Sequence, residues 1–435
     1  MVGPSPDVLD LRAPADGAGT PAAPDHQRWR RLCARGADLE GEAEVVARDI
    51  IAAVRERGDA AVAELTLRHE GRSLTDFELS PEARRAAAAE IPADLRAALE
   101  LAADNIRAFH ETQRSGDTGL HREDLRLTSR VRPLARVAVY APGGTAAYPS
   151  SVLMTAIPAK VAGVPEVILF TPRPSSVVLL AAQLAQVDRV FAIGGAQAIA
   201  AAALGTAQVP RVDKIVGPGN AYVTAAKRQV FGLVDIDGIA GPSEILVLAD
   251  ADADPELIAA DLLAQAEHDT LACAVVVTDA PALVARIHAA LAAQLETLPR
   301  REIAARALAD HGAIVLVDDR DAMVAAANAY APEHLELLIE DPRALVDRLH
   351  TAGAIFVGPW TPEAAGDYTA GPSHVLPTAG AARFASPLGV HDFLKITSVL
   401  ELGPAALRAQ SPAIVRIARA EGLEAHARAV LLRLR

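Results

Sequence analysis

From Gly41 to Phe109, apolar residues return every three or four positions with charges between them, as in "EAEVVARDIIAAVRERGDAAVAELTLRHEG" and "PEARRAAAAEIPADLRAALELAADNIRAFHE". That period marks amphipathic helices, which read as packing elements rather than as a site. Near Leu125 the texture changes to short β-branched runs, "RVAVYAPGG", "EVILFTP", "RVFAIGG" and "VDKIVGPGN", separated by helix-length apolar stretches. The rhythm repeats in "SEILVLAD", "ACAVVVTD", "AIVLVDD" and "AIFVGPW", with "DGIAGP" as the joint. Strands alternating with helices predict βαβ units and parallel sheets. The expected architecture is α/β with two such domains: 31–135 with 244–387, carrying the N-terminal helices, and 136–243. Residues 1–30 read as a loose tail. Residues 388–435 read as a helical arm that docks on the body or on a second subunit.

A chain of 435 residues can bury two cores. Its 51% hydrophobic content with only 3% aromatic means that Ala, Val, Leu and Ile build them. Cys33 and Cys273 are the only cysteines, which excludes a disulfide framework and a cysteine-rich metal site and fits a reducing, cytoplasmic setting. A net charge of -13, with arginines scattered among acids, argues against nucleic acid and anionic membranes as partners. The N-terminus has no secretory pattern. The uncharged run Val190 to Pro210 is broken by Gln197, Gln208 and a Gly194-Gly195 pair, so it reads as strand, turn and buried helix rather than a membrane span.

Three glycine turns, "APGGTAAYP", "AIGGAQAIA" and "VGPGNAYVT", each follow an expected strand, where open α/β sheets place ligands. None has the G-x-G-x-x-G spacing, so they favour a nucleotide cradle of another type, with Tyr140, Gln197 and Asn220 positioned to touch it. Gln265 and His268, three apart in "DLLAQAEHD", share a helix face and can converge on one ion. Asp367 and His374 lie in the Gly/Pro-punctuated "GDYTAGPSHVLPT", and Glu421 and His426 on the terminal helix. In "NAYAPEHLEL", Pro332 suits a first helical position. A helix dipole there would keep His334 neutral and able to accept a proton, beside Glu333.

These segments, with "KIVGPGNAYVTAAKRQVFG", "AGPSEILVLAD", "GAIFVGPWTPEAAGDYTAGPSHVLPT" and "EGLEAHARAV" in this order, resemble histidinol dehydrogenase. The likeness runs from the helix around Arg48 nearly to the C-terminus, leaving the first 40 residues poorly matched. It implies NAD-linked oxidation of L-histidinol to L-histidine through histidinal, in the last steps of histidine biosynthesis. It implies zinc held at Gln265, His268, Asp367 and His426. It also implies substrate contacts at Ser243, His374 and Glu421, with the zinc-site residues and His334 around the same substrate, and NAD contacts at Tyr140, Gln197 and Asn220. The resemblance further implies a homodimer whose C-terminal arm completes the partner's site, and two incomplete Rossmann-like domains similar to aldehyde dehydrogenases.

Oxidising an alcohol to an acid takes two hydride transfers, with water added to the aldehyde between them. Neither cysteine is expected to be placed for a thiohemiacetal, so a gem-diol is the expected intermediate. His334 would accept protons in both halves and Glu333 would polarise the water. Zinc would position the substrate's imidazole and amine. The rival readings are a related small alcohol as substrate, a zinc hydrolase, which has no use for the glycine turns, and a non-catalytic assembly protein.

Overall fold

A computed structural model of the chain describes residues 5–12, 24–35, 41–143 and 147–435. Its strands are near-continuous apolar runs, such as "EILVLA" at Glu244–Ala249, "CAVVVT" at Cys273–Thr278 and "AIVL" at Ala313–Leu316. Such runs suit parallel sheets covered on both faces. One sheet has five parallel strands in the spatial order Arg189–Phe191, Glu166–Phe170, Arg136–Tyr140, Lys214–Val216, Asp235–Ile236. Counted along the chain, that order is 3-2-1-4-5.

The other sheet repeats it. Its last five strands run Ala313–Leu316, Cys273–Thr278, Glu244–Ala249, His334–Leu338, Ala354–Val357, again 3-2-1-4-5 and all parallel. The doubly wound dinucleotide fold continues to a sixth strand on that edge. Both sheets stop one strand short, which makes them the two incomplete Rossmann-like units expected.

Three expectations fail. The supposed tail supplies the strand Asp7–Asp10, parallel to Ala313–Leu316, and the helix Pro24–Cys33, whose Trp29 ring stacks on Tyr330 with centroids 5.8 Å apart. The rest of that tail, 1–4 and 13–23, lies outside the described residues. The helices from Glu42 to Glu111 cover the five-stranded sheet and not the six-stranded one: Ile50 and Val54 pack with Tyr140 and Ile168, and Leu99 and Ile106 with Val139 and Leu153. Helical periodicity shows which face is apolar but not which sheet will bury it. Finally, Leu394–Leu402, assigned to a helical arm, is a strand antiparallel to Leu125–Pro133, which also pairs with Thr118–Arg122. The helices Pro404–Ala420 and Glu424–Leu432 follow it.

Candidate active site

In each sheet the first and fourth strands are neighbours, the point where strand order reverses and ligands gather. In the five-stranded sheet the C-terminal ends of Arg136–Tyr140 and Lys214–Val216 open on a cavity of about 680 Å³, lined by Tyr140, Gln197, Asn220, Thr171 and Tyr222 among others. The Tyr140 hydroxyl accepts the Gly195 N–H at 3.0 Å, and Asn220 caps the helix Ala221–Val230 by accepting from the Val223 N–H at 3.1 Å. Gly217 has φ +114° and packs on the Tyr140 carbonyl, where a Cβ would come within 2.1 Å. Only glycine fits such an approach. All three expected cofactor contacts therefore line one cavity. The tip of the first turn, 144–146, lies outside the described residues.

The six-stranded sheet uses the opposite edge. Glu333 and His334 stand at the N-terminal end of the strand His334–Leu338, beside the start of Glu244–Ala249. The helix expected to open at Pro332 does not form. The preceding helix, Arg320–Tyr330, ends on Ala331 in the left-handed region at φ 54°, and the chain passes through Pro332 directly into the strand. The helix start expected to act on the imidazole is therefore absent at Pro332. Burial pulls His334 down to about 4, with the Asp367 carboxylate working against it. The ring is therefore neutral at pH 7 for a different reason from the one expected.

Its tautomer is fixed as well. Nδ1 lies 2.9 Å from the Glu244 carbonyl and 3.7 Å from Glu333 Oε2 and Glu363 Oε1. A carbonyl can only accept, so Nδ1 carries the hydrogen and Nε2 the lone pair. The Glu244 N–H donates to Glu333 Oε2 at 2.8 Å. Glu333 is held well above the usual carboxylate range by burial, against the opposing pull of the Glu244 N–H.

Around this pair the structure gathers Gln265, His268, Asp367 and His374. Gln265 is the penultimate residue of the helix Pro255–Ala266, and His268 follows in its C-terminal turn. Asp367 lies on the short helix Glu363–Tyr368, and His374 Nδ1 donates to its carbonyl at 3.0 Å. His374 Nε2 lies 3.4 Å from Ser151 Oγ, on the helix Pro149–Ala162 that follows the cavity-lining Ala147. Ser243 immediately precedes Glu244, half-exposed at the same strand edge. Cys273 pairs in register with Glu244, but burial raises it and Cys33 to about 11, which keeps both as thiols.

Glu421 and His426 are not brought in. Glu421 caps the helix Pro404–Ala420, Gly422 turns the chain at φ 76°, and His426 belongs to the next helix, so they do not share the single helix expected. Both are exposed, on an arm that also exposes Ile417, Leu423 and Leu432.

Sequence reasoning missed several buried groups. Glu363 stands one turn before Asp367, and Asp261 one turn before Gln265, while Glu336 is two residues beyond His334 on the same strand face. These spacings were the available signal. Asp261 and Glu336 are hydrogen-bonded, and burial, reinforced by Asp261, pushes Glu336 up to about 9. Among the described residues, His334, Glu363 and Asp367 bring ligand atoms within 4.8 Å of one another. Gln265, His268 and Asp367 offer an amide oxygen, an imidazole and a carboxylate, a chemistry that fits zinc.

A family model described as histidinol dehydrogenase matches residues 34–434. The chain belongs to the histidinol dehydrogenase family. It is 52% identical over 404 residues to a histidinol dehydrogenase of Syntrophotalea carbinolica, covering 91% of this chain and 93% of that one. It is 53% identical over 405 residues to one of Ruegeria pomeroyi, covering 90% and 92%. A crystal structure of histidinol dehydrogenase from Elizabethkingia anophelis superposes with a TM-score of 0.91 at 34% identity, covering 99% of this chain and 98% of that one. Membership makes the chain an oxidoreductase. Among the described residues, no helix is long and apolar enough to cross a membrane.

Proposed function

We propose that this histidinol dehydrogenase family member carries out the zinc-dependent, NAD-linked, four-electron oxidation of L-histidinol to L-histidine through L-histidinal, as a cytoplasmic homodimer. The observation that carries this reading is the neutral His334 ring, its Nδ1 hydrogen fixed on the Glu244 carbonyl and its Nε2 free. Asp367, His374 and His268 surround it closely enough to act on its charge.

His334 Nε2 takes the hydroxyl proton of the alcohol, and then that of the hydrated aldehyde, at each oxidation. Glu333 orients and deprotonates the water that adds between them. A carboxyl whose acidity is suppressed by burial is a stronger base once ionised, the property water activation needs. Zinc, held by Gln265, His268, Asp367 and a His426 from a second copy of the chain, would supply a positive anchor for the substrate's imidazole and amine. NAD, in the cavity lined by Tyr140, Gln197 and Asn220, supplies the two-electron acceptor. His374 and Glu421 orient the substrate, with Ser243 at the strand edge.

The test is the yield of NADH per L-histidinol with zinc-loaded protein and excess NAD. Two NADH per substrate with histidine as product supports the reading. No NADH from histidinol, in protein that still binds NAD and zinc, moves the substrate to another small alcohol. Failure to bind NAD at all favours a zinc hydrolase.

A further inference from the structure

Gln265 is fully buried, and its side chain sits among groups that decide which end of its amide is which. One end lies 2.8 Å from Glu363 Oε1 and 3.2 Å from the Glu244 carbonyl. The Glu244 carbonyl can only accept, so that end is the NH2 group, and Glu363 Oε1 takes its other hydrogen. The other end, 3.3 Å from His268 Nδ1, is then the oxygen. A third approach of the nitrogen, 3.3 Å to His334 Nδ1, is secondary to that ring's own bond to Glu244.

Glu363 is 2% exposed, and its Oε2 has no hydrogen-bond partner among the described residues. The carboxyl group is buried against the Gln265 amide and lies 3.7 Å from His334 Nδ1. It stands on the same short helix as Asp367, one turn earlier, so a single element supplies both a metal-binding carboxylate and the acceptor for its neighbour's amide. An amide binds a metal only through its oxygen. Rotating the Gln265 amide by half a turn would present NH2 to the cation and abolish the bond.

We infer that Glu363 is a positioning residue that locks the Gln265 amide with its nitrogen inward and its oxygen toward the space shared with His268 and Asp367. The inference rests on the zinc reading above. Partners of this kind orient ligands, and removing one costs roughly 10- to 100-fold in metal affinity.

Zinc affinity is measured by competition with a colorimetric chelator, alongside the visible absorption of the cobalt(II)-substituted protein. Glu363→Ala weakens zinc binding by roughly 10- to 100-fold and alters the cobalt bands. Glu363→Gln, whose amide oxygen can still accept, keeps affinity near that of the unaltered chain. Gln265→Glu sets two carboxyl groups against each other and weakens binding, and Gln265→Glu with Glu363→Gln recovers it by reversing donor and acceptor. If the unaltered chain holds zinc and folded Glu363→Ala holds it as tightly, or if the double variant shows no recovery, the inference is overturned while the zinc reading stands. If the unaltered chain holds no zinc, both fall. Should Glu363→Ala not fold, the comparison of Gln265→Glu with the double variant decides alone.

Discussion

Arg35 grips the Glu244 carboxylate with two hydrogen bonds, Nε to Oε1 at 2.6 Å and Nη2 to Oε2 at 2.5 Å, while its guanidinium lies 3.4 Å from the centre of the Tyr330 ring. The same Glu244 holds both members of the proposed catalytic pair through its backbone, donating to Glu333 and accepting from His334. A residue from the N-terminal segment thus anchors the strand edge that fixes the tautomer of the base. The Glu244 side chain is buried at 2% exposure and that of Arg35 is mostly covered at 13%. Truncating one member of a buried pair leaves the other uncompensated, at about 3–5 kcal/mol. Arg35→Ala is therefore expected to lose about that much in denaturant unfolding. Arg35→Lys, with one point charge and no fork, recovers only part of it.

The two catalytic candidates are expected to separate by half-reaction. His334→Asn lowers turnover of both L-histidinol and L-histidinal by about 10²- to 10⁴-fold, the usual worth of a general base, with zinc content unchanged. Glu333→Gln depresses aldehyde oxidation more than alcohol oxidation, because water is needed only in the second half. Single-turnover measurements with each substrate check this. Equal losses from Glu333→Gln would argue against a dedicated water activator.

How far these residues can be read from sequence depends on how local their chemistry is. Tyr140, Gln197 and Asn220 are legible because each sits at or beside a glycine turn after a strand, and those turns converge wherever the strands do. Gln265 and His268 are legible because helical spacing alone puts them together. Glu363 is not, since in "PWTPEAAGDYT" it is an ordinary helix-start acid until the helix packs against Pro255–Ala266 and buries it. Glu333 and His334 are found for their chemistry but on the wrong element. Proline is as compatible with entry to a strand as with a helix start, and only the left-handed Ala331 decides. The rule that ligands gather at the C-terminal ends of strands locates the cavity but not Glu333 and His334, which stand at the N-terminal ends, where the C-terminus of the Pro255–Ala266 helix arrives.

Stability should depend on pH through His334. Its folded value of about 4 lies below the 6.5 of an exposed ring, so between those values the unfolded chain binds a proton that the folded chain does not. The His334 contribution is constant above about pH 6.5 and falls as pH drops toward 4, by about 3 kcal/mol at 1.36 kcal/mol per unit. His334→Asn should flatten this limb in denaturant titrations of chelator-treated protein. A limb of unchanged slope in the variant would assign it to other groups.

Glu336 works in the opposite sense. With a folded value of about 9 against 4.5 for an exposed carboxyl, it favours the folded state at low pH and loses that contribution as pH rises toward 9. Glu336→Gln keeps a neutral, hydrogen-bonding side chain against Asp261 at every pH. Its melting temperature should fall less than that of the unaltered chain between pH 6 and pH 9. Parallel declines would show that this pair does not set the alkaline limit.

Within one chain His426 stays exposed, apart from the proposed zinc donors Gln265, His268 and Asp367, which makes the arm's destination testable by mixing inactive chains. His426→Ala alone should lower zinc content, and His334→Asn alone should leave it intact while abolishing turnover. If the arm reaches into a second copy, a hybrid of the two variants has one site with both substitutions and one with neither. Random reassortment into dimers should then restore about a quarter of the unaltered activity, since half the dimers are hybrids and each carries one native site in two. If the arm serves its own chain, every site in the hybrid carries one substitution and mixing restores nothing. Because each parent is inactive, any recovered NADH production comes from a site shared between two chains.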